Sequence, residues 1–339
     1  MQKLPLEALA KYTYLSGINL SPDGHYGAYV THTAQLEDNG YASDIWLFDA
    51  LGEHLPKPLT SSGKASSFEW LPNSDKLMYA SSKDPAVKAI QESGEPLSVY
   101  YTISPTGGES QEWMRIPLKV NQITPLSETL YILSAQHHSE YDRYNAAPID
   151  VRPAILKEWK EENNFEVIEE IPFWTNGGTF LRGTRNRLYA YCRIDKVLIP
   201  LTGPDTQVSG WHYEALHDRL VAITKTFRGK APLKSALNIL DDLRATLKPI
   251  DFATAAPDIL LGALQTIFPE GTHSIQYAYS LSQSQMILLA QDGSTHGLNQ
   301  NAGFFSLSLA SNSHPASTPA TLIPTLVPFG QPLKGTVGN

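Results

Sequence analysis

The chain has 339 residues, of which 42% are hydrophobic and 18% charged, and its net charge is −8. That size supports a large core, while the acidic balance, with no Lys/Arg block to neutralise phosphates, argues against nucleic acid as a partner. Cys192 is the only cysteine, so neither an intrachain disulfide nor a cysteine zinc site can form.

Met1 to Glu7 lacks the apolar run of a secretory signal, and no stretch approaches the roughly 18 consecutive apolar residues of a membrane span. A cytoplasmic protein with no membrane contact is expected. The 23 Gly, 24 Pro, 16 Tyr and 11 Phe suit pleated, half-buried sheets joined by tight turns.

After a short N-terminal helix over residues 5–12, residues 18–31 read as strand, turn, strand, with Ser21-Pro22-Asp23-Gly24 at the turn. Pro fixes φ there and Gly supplies a positive φ. Asp44 to Asp49 is an apolar strand ending in the turn Ala50-Leu51-Gly52, and a short edge segment closes at Leu59-Thr60. This four-stranded meander has about the length of one propeller blade. The unit recurs. Ser67 to Ala80 repeats the first hairpin, followed by Leu97 to Ile103 and the turn Pro105 to Gly108. A third unit opens at Gln122 to Pro125 and Thr129 to Leu133, then resumes at Arg187 to Tyr191 and Val197 to Thr202. The fourth uses Arg219 to Ile223 and Ala236 to Asp241; the fifth uses Ser274 to Tyr279, Met286 to Ala290 and Phe304 to Leu309.

The expected fold is thus all-β: a β-propeller of about five recognisable four-stranded blades spanning residues 1–310. A helical insertion over 150–171, with Arg152 to Glu162 as its helix, interrupts the third blade. Residues 311–339 are rich in Pro, Ser and Thr and read as a disordered or unrelated tail.

Lys3-Leu4-Pro5-Leu6-Glu7, Leu20 to Gly24 and Asp44 to Leu47 resemble the first blade of the acylaminoacyl-peptidase and dipeptidyl-aminopeptidase branch of prolyl-oligopeptidase-type serine peptidases. Glu170 to Gly178, Arg185 to Tyr189 and Gly297 to Phe305 extend the resemblance, which covers residues 3–309. The resemblance implies a seven-bladed propeller capping an α/β-hydrolase domain that supplies Ser, Asp and His. Five blades are counted here, so two blades and the hydrolase domain are expected to be missing. A stand-alone interaction propeller is the rival reading.

The chemistry of the sequence agrees with a non-catalytic role. No serine has Gly two positions before and two after it, so the strained elbow that exposes a nucleophile is lacking and no catalytic residue is assigned. His137 to Asp142 offers metal-ligand types, but neighbouring strand residues point to opposite faces, and the stretch reads as a polar loop. His212 and His217 read as residues around a hairpin turn. No metal and no cofactor are expected.

The acid pairs Glu161-Glu162 and Glu169-Glu170 lie at the end of the insertion and just beyond it. Paired glutamates on a propeller insertion hold the substrate's free α-amino group in the dipeptidyl-peptidase branch, and a buried ammonium needs such anions. The spacing here departs from that motif. Arg185 and Arg187 alternate along a strand and so share a face, in reach of those acids or of a substrate carboxylate. Glu161, Glu162, Glu169, Glu170 and Arg185 are therefore the candidate substrate-binding residues. Peptide, engaged together with a hydrolase domain, is the expected partner, and exposed end blades are expected to favour self-association.

Overall fold

The computed structural model describes residues 6–72, 76–162, 168, 170–171, 183–230, 232, 234–271, 273–292, 301–309 and 327–328. Glu169, Pro172 to Arg182, Gly297 to Gln300 and most of the C-terminal stretch lie outside them, as does the side chain of Glu162. A 3-10 turn, Leu6–Lys11, stands where the short N-terminal helix was expected.

Among the described residues five four-stranded antiparallel sheets follow, which are the blades of a β-propeller fold. The first holds β1 (Thr13–Leu20), β2 (Tyr26–Gln35), β3 (Gly40–Asp49) and β4 (Lys57–Pro58) in sequence order. The second holds β5 (Phe68–Trp70), β6 (Leu77–Ala80), β7 (Ser98–Ile103) and β8 (Gln111–Ile116). The third comprises β9 (Lys119–Pro125), β10 (Leu130–His137), β11 (Arg185–Cys192) and β12 (Val197–Pro200). The fourth comprises β13 (Thr206–Glu214), β14 (Arg219–Thr226), β15 (Ala236–Leu240) and β16 (Gln265–Phe268). The fifth has β17 (His273–Ser282), β18 (Gln285–Asp292), β19 (Gly303–Ser308) and β20 (Val327–Pro328). Two residues of the Pro/Ser/Thr-rich stretch thus complete the last sheet, with Val327 opposite Ser306 and Pro328 opposite Phe305.

The turn chemistry explains the first hairpin. Gly24 takes φ +74°, and its N–H donates to the Ser21 carbonyl at 2.8 Å. The Ser21 hydroxyl donates to Asp23 and accepts the Tyr26 N–H. β1 also carries a bulge between Ser16 and Asn19, where Gly17 adopts φ +63°.

Contacts divide the chain into two compact units. The first comprises residues 1–135, 140–164 and 191–196, and the second residues 136–139, 165–190 and 197–339. In the first, alternate residues of β2, β3, β5, β6 and β7 interlock, including Val30, Ile45, Phe68, Trp70, Tyr79 and Tyr101. In the second, Val221, Ile223, Leu237 and Ile239 pack on Ile275, Ala278, Met286 and Leu288. Each core is the period-2 face of one sheet set against the next.

Helices occur beyond the insertion's α3 (Arg152–Glu162). α1 (Pro85–Glu92) starts at Asp84, whose carboxylate accepts the Ala86 N–H, with Pro85 in the first turn. The expected loop over His137 to Asp142 is instead the end of β10 followed by α2 (Ser139–Ala146). α2 owes its form to α3. Tyr141 and Tyr144 lie 5.7 and 5.5 Å from the Trp159 ring, and Arg143 bridges Glu140 and Glu158. A fourth helix, α4 (Leu243–Leu247), buries Leu243 and Leu247.

Candidate functional site

Of the residues singled out in the sequence, Glu170 and Arg185 come together. The main chain next to Glu170 is fixed by Ile171, whose N–H donates to the Gly229 carbonyl at 3.3 Å and which bridges to Lys230. Arg185 opens β11 with its side chain only 5% exposed, against 15% for Glu170. Its guanidinium meets the carboxylate as a fork, Nη1 donating to Oε1 at 2.9 Å and Nη2 to Oε2. Nη1 also donates to the Thr184 carbonyl, and the guanidinium lies 3.7 Å from the centre of the Phe227 ring.

This clamp sets what the pair can do. Both carboxylate oxygens of Glu170 already accept from Arg185, so a substrate ammonium would have to share the carboxylate with the guanidinium. Arg187, on the same face of β11, donates from Nε and Nη2 to the Thr202 carbonyl. Among the described residues it serves main chain and not an acid. Glu161 sits exposed on α3, with the Lys157 ammonium 3.8 Å away. Glu169 lies outside the described residues, as does the side chain of Glu162.

Three polar clusters escaped the sequence reading. In the second unit, Glu214 (2% exposed) accepts from the Ser280 N–H at 2.8 Å and lies 3.0 Å from His212 Nε2. Burial opposes its charge, yet the hydrogen bonds from His212 and Ser280 hold its pKa below the ordinary carboxylate value. Beside it the buried Arg219 donates to Asp241, to the Ser280 hydroxyl at 2.7 Å and to the Gln283 carbonyl at 3.0 Å. Ser280 therefore serves Arg219 and not an imidazole, and the cluster is a latch between β13–β14 and β17–β18.

In the first unit, Ser16 Oγ lies 2.7 Å from His32 Nε2, and His32 Nδ1 lies 2.8 Å from Ser43 Oγ. A serine, an imidazole and an orienting group thus run across β1, β2 and β3. Acyl transfer needs a carboxylate, or its equivalent, behind the imidazole to stabilise the imidazolium. Asp44, the neighbouring acid, is instead taken by Thr60 Oγ1 and the Gly63 N–H, both at 3.0 Å. The chain of hydroxyls is cross-strand pairing. Asp49, Glu53 and His54 bring ligand atoms within 4.8 Å of one another in the β3–β4 turn. Asp49 is held by His54 and the Leu51 N–H, which lower its pKa. Glu53 and His54 are exposed, and solvated acids of this kind commonly gather without an ion.

The geometry of the blades has clear counterparts among solved structures. The chain shares its fold with part of an acylaminoacyl peptidase. A Pyrococcus horikoshii acylaminoacyl peptidase matches with a TM-score of 0.56 at 12% identity, over 88% of this chain and 39% of that one. An acylaminoacyl peptidase in complex with Z-Gly-Gly-Phe-chloromethyl ketone matches at 0.55 and 11%, over the same shares. The chain thus spans about two-fifths of the length of these peptidases. No family model matches the sequence, and no curated protein matches it. Among the described residues, no helix is long and apolar enough to cross a membrane.

Proposed function

We propose that this chain is the non-catalytic propeller portion of an acylaminoacyl-peptidase-like serine peptidase, acting in substrate gating and selection. The observation that carries the reading is the fold shared with two-fifths of such a peptidase, over 88% of this chain. The lack of a Gly-x-Ser-x-Gly elbow supports it, because the nucleophile then belongs to a hydrolase domain. The blades' part is steric: they limit access to short, flexible peptides. A single buried cysteine suits work in the reducing cytoplasm. The second reading, a stand-alone interaction propeller, rests on the same blades without the hydrolase.

The test is capture of the native protein from its own cells with an antibody to this chain, followed by assay with N-acylated short peptides. Release of the acylated residue, by the captured polypeptide or by a hydrolase bound to it, is expected. Capture without such activity would leave the interaction module as the better account.

A further inference from the structure

The fourth blade carries a polar cleft that the peptidase reading does not use. Its volume is about 480 Å³, and its walls include Thr202, Thr206, Thr224, Thr226, Arg228 and Glu270. All belong to the second unit. The floor is built. Asn238, buried on β15, donates from Nδ2 to Thr224 Oγ1 at 2.8 Å and accepts from Thr266 Oγ1 at 2.7 Å. Glu270 is aimed by the backbone, its Oε1 accepting the Thr226 N–H at 2.6 Å.

Two opposite charges line this cleft without meeting. Among the described residues neither Arg228 nor Glu270 has an ion-pair partner, and the second oxygen of Glu270 accepts no hydrogen bond. The other polar side chains on the walls are threonine hydroxyls and the Asn238 amide, set among Leu201, Ala236, Leu264 and Pro269, and among the described residues no aromatic ring provides the stacking platform that a sugar or base uses. A ligand that satisfies both charges needs an anionic end for the guanidinium and a cationic end for the carboxylate. Threonine hydroxyls then serve whichever neutral groups lie between.

We propose that this cleft binds a small zwitterion of the α-amino acid class, with its carboxylate on Arg228 and its ammonium on Glu270. The proposal stands apart from the peptidase reading, because it requires no hydrolase domain and no peptide passage.

Calorimetric titration of the full chain with L-alanine, N-acetyl-L-alanine and L-alanine amide tests it. L-alanine is expected to saturate one site. The acetylated form, lacking the ammonium, and the amide, lacking the carboxylate, are each expected to bind about tenfold more weakly or worse. Glu270→Gln keeps an acceptor for the Thr226 N–H. It is expected to weaken L-alanine about tenfold while leaving N-acetyl-L-alanine unchanged. Arg228→Gln, on an exposed turn, is expected to weaken L-alanine and spare the amide. Absence of saturable L-alanine binding, equal binding of all three compounds, or L-alanine binding indifferent to both substitutions would overturn the proposal. The three-compound comparison on the unaltered chain decides the matter even if a variant proves unstable.

Discussion

Glu69 offers a direct test of how the second blade is packed. It sits in β5 opposite Met78, on the face away from Phe68 and Trp70, which enter the core. No cation or hydrogen-bond donor meets its carboxyl among the described residues. Burial alone pushes its pKa from the ordinary 4.5 up to about 7. Burial, and after it the same carboxylate, raises the pKa of the Tyr100 hydroxyl. Between those two pH values the unfolded chain has released a proton that the folded chain keeps. Stability therefore falls as pH rises across the window; the contribution is intact below about 4.5 and fully lost above about 7. At about 1.4 kcal/mol per pH unit the rise corresponds to at most about 3 kcal/mol, less to the extent that water reaches the half-buried carboxyl. Glu69→Gln removes the titration while keeping the shape. Urea unfolding from pH 4.5 to 8 should show the wild type losing stability relative to the variant as pH rises, with the gap closing at the acid end. Parallel curves, within about 0.5 kcal/mol over the whole range, would refute the assignment of Glu69 to a half-buried, unpaired site.

Arg185→Lys should destabilise the chain by about 2 kcal/mol in urea unfolding, because an ammonium can neither form the fork with Glu170 nor lie flat on Phe227. A neutral effect would show that the clamp is not formed in solution. Asp241→Ala should cost about 3 kcal/mol although Asp241 is 43% exposed, since it strips the charged partner from an Arg219 side chain that is 1% exposed. A loss typical of a surface residue, below about 0.5 kcal/mol, would contradict the latch. Cys192 should resist iodoacetamide at pH 8 in the folded chain and react on unfolding. Burial raises its thiol pKa, and the Sγ lies 3.0 Å from Asp195 Oδ2.

The parts of this fold that show in the sequence are those fixed by local chemistry. Ser21-Pro22-Asp23-Gly24 sets its own turn, and Asp49 to Gly52 closes on itself through the Gly52 N–H to Asp49 carbonyl bond. Continuous apolar runs marked β14 and β15, which are buried on both faces, and alternation marked β18, one face of which enters a core. β1 begins at Thr13, before any legible alternation, since all eight of its residues are exposed and no pattern of burial selects a face. α1 had a readable signal in Asp84-Pro85. α2 had none, because its own residues are mostly polar and Trp159, fifteen to eighteen positions downstream of its tyrosines, supplies the packing. The acids and Arg185 were visible as residue types. That Glu170 and Arg185 pair depends on the anchoring of Ile171 to the segment after β14, which no local pattern announces. The Ser16–His32–Ser43 line depends on three-strand register and on the bulge at Gly17, both of them tertiary facts.

That same line makes the central claim, that these blades carry no catalytic centre, directly testable. The purified chain is treated with a fluorophosphonate probe and its serines are mapped by mass spectrometry, with Ser16→Ala alongside. A hydroxyl paired with a histidine that has only Ser43 behind it should stay unlabelled, and the two proteins should give the same blank result. Stoichiometric labelling of Ser16, abolished in the variant, would contradict the account and make the first blade itself a site of acyl transfer.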